Sequence, residues 1–151
     1  MKSITATWFE VGLRYLKTQT DGSDKMVTEK FGVDAVSFSD AETRITEEAS
    51  QCTIGEFKIT SEAQANYGEV IFSEDSEDEN WFKCKLAFVA INENTGKEKL
   101  TNVNFLVQAS TVAKALKNVT EAMAGTVSDW KVVGINATKI VDVFSPKISN
   151  N

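Results

Sequence analysis

Apolar and polar side chains alternate from the start of the chain. Phe9, Val11, Leu13 and Tyr15 fall on one side, and Trp8, Glu10, Gly12 and Arg14 on the other. A period of two marks a strand with one face on a core. Asp21-Gly22 then predicts a turn, closing a hairpin onto a strand through Phe31, Val33 and Ala35. The period next becomes helical. Phe38, Ala41, Ile45 and Ala49 share one face, with Ser37 or Ser39 available as the cap. One long or bent strand, or two short ones, is expected from Glu56 to Phe72.

The same order is then written again. Trp8-Phe9-Glu10-Val11-Gly12-Leu13-Arg14-Tyr15 is echoed 73 residues on by Trp81-Phe82-Lys83-Cys84-Lys85-Leu86-Ala87-Phe88. The turn at Thr95-Gly96 answers Asp21-Gly22, and one extra residue there moves the offset to 74. Phe31-Gly32-Val33-Asp34-Ala35 then matches Phe105-Leu106-Val107-Gln108-Ala109, and Ile45-Thr46-Glu47 matches Val119-Thr120-Glu121. Glu56-Phe57-Lys58-Ile59 matches Asp129-Trp130-Lys131-Val132, back at 73. The second helix, capped by Ser110 or Thr111, carries Val112, Ala115, Leu116, Val119 and Met123, and Gly125 stops it. Five ordered matches at near-constant spacing predict a tandem duplication.

The expected fold is therefore α+β: two β-β-α-β(-β) units, mostly antiparallel, related by a pseudo-twofold axis. The chain is read as one compact domain of two repeats, about 6–73 and 81–145, joined by an acidic junction over 73–80. The copies either share a core or exchange strands, because one unit alone buries its sheet face poorly. Residues 146–151 are expected to form an unstructured end.

Charge refines this picture. The net charge of −6 is an average over unlike parts: residues 7–73 hold 6 basic and 12 acidic side chains, residues 81–144 hold 8 basic and 5 acidic. Five more acids stand in the junction, which is expected to be a solvated linker. A calcium loop there would lack the glycine and the distal Glu of an EF-hand. There is no histidine, which excludes His-based triads and His–metal sites. Cys52 and Cys84 are too few for a disulfide framework or a zinc site. Cys84 reads as a small core residue, and Cys52 as a partly exposed thiol. The N-terminus has no signal-peptide pattern and no segment reaches transmembrane length, so a cytoplasmic protein without membrane contact is expected.

Two constellations could carry function. Trp8, Arg14, Lys58, Trp81, Lys83, Lys85 and Lys131 would stand on the sheet face turned from the core. Cations interleaved with aromatic rings suit single-stranded nucleic acid, whose bases stack on rings while Lys and Arg meet phosphates. The plainer alternative is that both tryptophans cap the core or sit in an interface while the lysines are solvated. The other constellation is Glu56-Phe57-Lys58 with Asp34, and Asp129-Trp130-Lys131 in the second copy, a pattern shared with metal-dependent nucleases. It recurs by chance, and Gln108 stands where the second copy would need an acid. No catalytic residue, metal site or cofactor is assigned.

The chain also resembles an uncharacterised domain-of-unknown-function family of Bacteroidales and their crAss-like phages. The likeness rests on Trp8-Phe9-Glu10-Val11, Val33-Asp34-Ala35-Val36-Ser37-Phe38 followed by Ala41-Glu42, and Gly55-Glu56-Phe57. It continues through Trp81-Phe82-Lys83, Asn94-Thr95-Gly96-Lys97-Glu98-Lys99, Leu106-Val107-Gln108-Ala109-Ser110 and Asp142-Val143-Phe144. The resemblance implies a phage, prophage or mobile-element gene acting in the host cytoplasm, and transfers no catalytic residue. The unit order is also similar to duplicated nucleic-acid-binding folds of the whirly and purine-rich-element type, an analogy of fold alone. The leading expectation is a non-enzymatic module that binds single-stranded nucleic acid. The alternative is a virion or anti-defence protein that binds a host or phage protein or a signalling nucleotide, and the opposed charges of the copies would suit a homodimer.

Overall fold

The computed structural model describes residues 7–145 except residue 53. The side chain of Cys52 and the expected unstructured end, residues 146–151, lie outside the described residues. Ten elements follow one another: β1 (Trp8–Thr18), β2 (Asp24–Asp34), α1 (Phe38–Cys52), β3 (Ile54–Ala65), β4 (Tyr67–Ile71), β5 (Asn80–Ile91), β6 (Glu98–Ala109), α2 (Val112–Ala122), β7 (Asp129–Ala137) and β8 (Ile140–Phe144). The class is α+β, with two four-stranded sheets of order β3-β1-β2-β8 and β4-β6-β5-β7. Within each sheet three strands are antiparallel, and the short one pairs parallel, β8 with β2 and β4 with β6.

Each sheet with its helix is a compact unit: β4 to β7 form one from a continuous stretch, whereas the unit of β1, β2, α1 and β3 takes its fourth strand, β8, from beyond β7. The connections give a local reason. Only Asn66 separates β3 from β4, fewer than the two residues a hairpin needs, so the chain runs on rather than turning back. Thr138 and Lys139 separate β7 from β8, but among the described residues only glycines have positive φ. The tight two-residue hairpins require that conformation, so no reversal occurs there either.

The local signals are where the alternation and turn residues put them. Ser37 Oγ accepts the Asp40 N–H at 3.1 Å while Asp40 Oδ2 accepts the Val36 N–H at 3.0 Å, a reciprocal cap that opens α1. Thr111 Oγ1 accepts the Lys114 N–H at 3.1 Å and opens α2. Gly22 and Gly96 take φ of 88° and 72° in the two long hairpins, where a Cβ would be strained.

One core lies under each helix. Phe9, Val11, Leu13, Phe31 and Val33 receive Ala41, Ile45 and Ala49 of α1. Phe82, Cys84, Leu86, Phe105 and Val107 receive Ala115, Val119 and Met123. Full burial of a residue such as Ile45 or Val119 contributes about 1.5–3 kcal/mol. The buried helix stripe is narrower than its periodicity suggests. Phe38, Val112 and Leu116 are about half exposed, so the buried contact of each helix runs along a single ridge.

The opposite faces were expected to be open, and at one end of each sheet they are not. Trp8, Val143 and Ile140 in one unit, and Trp81, Val70 and Leu106 in the other, point away from the helices and are buried. Where β4 and β8 join, both faces of the sheet are out of water.

Candidate binding surface

The expected nucleic-acid face does not assemble as the alternation implied. Trp8 is 1% exposed and Trp81 2%, so neither indole is available to a base. The edge of Phe72 meets Trp81 at 5.4 Å between ring centroids. Thr138 donates both its N–H, at 3.1 Å, and its hydroxyl, at 2.8 Å, to the Trp81 carbonyl. A period of two reports that a side chain leaves the helix side; it carries no information on whether that other side is covered.

The cations of the same set do reach the surface. In the β1 unit, Arg14 and Lys58 are register partners on β1 and β3, both exposed. Arg14 Nη1 donates to Thr28 Oγ1 at 3.3 Å. In the β5 unit, Lys83 is half-buried with its ammonium 5.8 Å from the centre of the Tyr67 ring. Lys85 is exposed, and Lys131 is exposed opposite Ala87, two residues further along β5. Val89, Ile91 and Leu100 continue that face, with Ile91 62% and Leu100 53% exposed. Asp129 is in register with Val89, and Glu98 with Ile91. The open part of the β5–β6–β7 face is therefore an aliphatic patch bordered by both signs of charge, with no aromatic ring among the described residues.

The nuclease-like constellation is taken apart by register. Asp34 pairs with Trp8, while Phe57, beside Glu56, pairs with Tyr15. Seven residues of β1 separate those pairs, about 23 Å of extended chain. Asp34 is moreover fully buried and accepts the Ser145 hydroxyl at 3.2 Å. Gln108 and Asp129 likewise pair with Trp81 and Val89, eight residues apart on β5. Among the described residues no three Cys, Asp or Glu side chains gather as metal ligands would.

The acidic junction is solvated at Glu74, Asp75, Glu77 and Glu79, as its composition suggested, but it is tied down through Asp78, which is buried. Lys114, on the first turn of α2, donates to Asp75 at 3.0 Å and to Asp78 at 2.8 Å. Asn118, one turn on, donates to Asp78 at 3.1 Å and to the Gln108 carbonyl at 2.9 Å. Ser73 donates its hydroxyl to Asp78 and its N–H to Gln108 Oε1 at 2.9 Å. Burial opposes ionisation of Asp78, but the hydrogen bonds from Lys114, Ser73 and Asn118 outweigh it and hold its pKa down at about 2. Lys114 is raised by its bonds to Asp78 and Asp75. A polar groove of about 410 Å³ runs beside this clasp, between Phe72, Glu74 and Asp75 on one side and Lys117 and Glu121 on the other. Lys114 and Asn118 at helical spacing were a readable signal for the clasp, but only the fold brings Asp78 to them.

Two further groups are perturbed. Glu62 shares a hydrogen bond with Glu42 and is partly desolvated, which pushes it up to about 7. Their counterparts at the same offsets, Leu116 and Ile135, are apolar, so the acid pair belongs to the first unit alone. Cys84 is fully buried, as a core residue should be, and burial raises its thiol to about 11.

No helix of the described residues is long and apolar enough to cross a membrane. No curated protein and no solved structure matches the chain. A family does match, over residues 7–147 and so over both units, and it is described as a domain of unknown function: the chain belongs to the DUF4494 family.

Proposed function

We propose that the protein is a non-enzymatic interaction module and that the open β5–β6–β7 face is where it engages a partner protein. The observation that carries this reading is the composition of that face. Val89, Ile91 and Leu100 form an aliphatic centre, and Lys85, Lys131, Asp129 and Glu98 surround it with both signs. An apolar centre with a charged rim suits a protein surface. Carboxylates among the lysines repel phosphates, and the buried tryptophans remove stacking. The resemblance noted in the sequence supports a phage or mobile-element origin and action in the host cytoplasm. The matching strand orders, β3-β1-β2-β8 and β7-β5-β6-β4, support descent of the two units from one ancestor by duplication.

The test is a paired co-purification from the cells in which the gene is expressed, using the tagged protein and the double variant Ile91→Asp, Leu100→Asp. A partner retained by the first and lost by the second is expected. Identical sets, with both proteins folded, would overturn the assignment of this face.

Arg14 beside Lys58 keeps a second reading in play, single-stranded nucleic acid held through its phosphates alone. Two neutralised phosphates give a salt dependence with a log–log slope of only about −1.4. Anisotropy of a labelled oligonucleotide at low salt tests it, and binding that survives Arg14→Ala with Lys58→Ala would reject these residues as the site.

A further inference from the structure

The core under α1 is not filled. A cavity of about 160 Å³ opens between the helix and the sheet of the β1 unit, lined by Leu13, Tyr15, Phe31, Ile45, Ala49 and Phe144 with the carboxylates of Glu48 and Asp142. The core under α2 differs at the decisive position. The buried stripes run Ala41, Ile45, Ala49 and Ala115, Val119, Met123, so the third place holds a methyl group in one unit and a long thioether side chain in the other. Met123 is packed into its core. Ala49 leaves the corresponding space open, and Glu48 stands where α2 has Ala122.

We propose that this cavity is a binding site for a small organic cation: an ammonium group carrying an apolar body about the size of one six-membered ring. The size follows from the volume, since an apolar protein cavity of about 150 Å³ accommodates benzene. The charge follows from the lining, in which both ionisable side chains other than the tyrosine are acids. The Tyr15 hydroxyl is engaged by Glu29, and Glu29 also pairs with Lys17 at 2.9 Å. Arg44, which lines an adjoining recess of about 100 Å³ with Glu47 and Glu48, is paired with Asp40 at 3.3 Å. Among the described residues no cation pairs with Glu48 or Asp142. Asp142 accepts its neighbour's N–H, from Val143, at 2.8 Å. Although its residue is solvent-exposed, partial desolvation raises its pKa, and no counter-charge offsets that. An ammonium head between these carboxylates would provide it while the apolar body fills the space Met123 fills in the other unit.

Benzylammonium is the probe, with benzyl alcohol as its neutral analogue and benzoate as the anion, each titrated into the whole ¹⁵N-labelled chain at neutral pH. Benzylammonium is expected to give saturable shifts with a Kd below about 5 mM, centred on residues 13–15, 45–49 and 142–144. Benzyl alcohol should bind about tenfold more weakly, the loss of one charge-assisted contact, and benzoate not at all. Ala49→Met should abolish binding of every probe, and Ala49→Leu, a smaller filling, serves if the methionine is not accommodated. Glu48→Gln with Asp142→Asn should leave the apolar binding and remove the preference for the cation. Absence of saturation at 5 mM, binding that persists in whichever filled variant folds, or benzoate binding as well as benzylammonium would each overturn the proposal.

Discussion

Asp78 and Glu62 are both carboxylates at the edge of a core, and they respond to burial in opposite directions because of what stands beside each. Asp78 meets an ammonium, an amide and a hydroxyl, and its pKa falls to about 2. Glu62 meets another carboxylate, and its pKa rises to about 7. The linkage signs are therefore opposite. The contribution of Asp78 is full above its unfolded pKa near 4 and is lost as pH falls toward 2. Glu62 holds its proton more tightly in the folded state, so its effect on stability is most favourable below about 4.5 and declines as pH rises through 7. Thermal unfolding followed from pH 4.5 to 8 should show a decline in Tm that Glu62→Gln flattens; an unchanged decline in that variant would dismiss the acid pair as its source. Lys114→Ala leaves Asp78 buried without its counter-charge. It should lower Tm by several degrees and open the 73–80 segment to a Glu-specific protease, whereas Lys117→Ala, one turn away on the groove, should do neither.

At the level of elements, the covered second face of each sheet decides what substitutions cost. Trp81 sits on the side of β5 turned from the helix, as do the lysines that reach solvent, yet its ring is in a core-like environment. Trp81→Ala should cost about 3–5 kcal/mol in a urea titration, and Leu106→Ala on the same face of β6 about 2–5 kcal/mol. Exposed residues at those positions would cost less than about 0.5 kcal/mol, so a near-neutral result in either variant contradicts the burial. The strand alternation was legible in the residues themselves, and so were the glycine turns and the caps to within two candidates each, of which the structure uses Ser37 and Thr111. Each of these depends on a few consecutive residues and on backbone geometry that neighbours in sequence can impose.

At the scale of the molecule, the placement of β8 beside β2 joins stretches of chain that lie far apart in sequence. Removing residues 139–151 should therefore damage the β1 unit rather than the stretch to which they are attached. Hydrogen exchange should show peptides of β2 losing protection, since β8 is its parallel neighbour, while β5 and β6 keep theirs. Equal loss in both units would contradict the placement of β8 in the β1 unit. The net charge of −6 predicts little about binding here, because it averages over unlike parts and two of the junction acids, Asp75 and Asp78, are already paired with Lys114.

By itself the sequence determined two sheets' worth of alternating strands, two capped helices and the likeness of one half of the chain to the other. Those are short-range properties, set by side-chain periodicity and backbone preference. Three things came only from the tertiary structure: the sheet that each short strand joins, the choice of the buried over the exposed reading of Trp8 and Trp81, and the pairing of Asp75 and Asp78 with Lys114 of α2. Each rests on a contact between residues distant in sequence. Alternation specifies that a strand has two faces, and it takes the packed chain to say how much of the second face water still reaches.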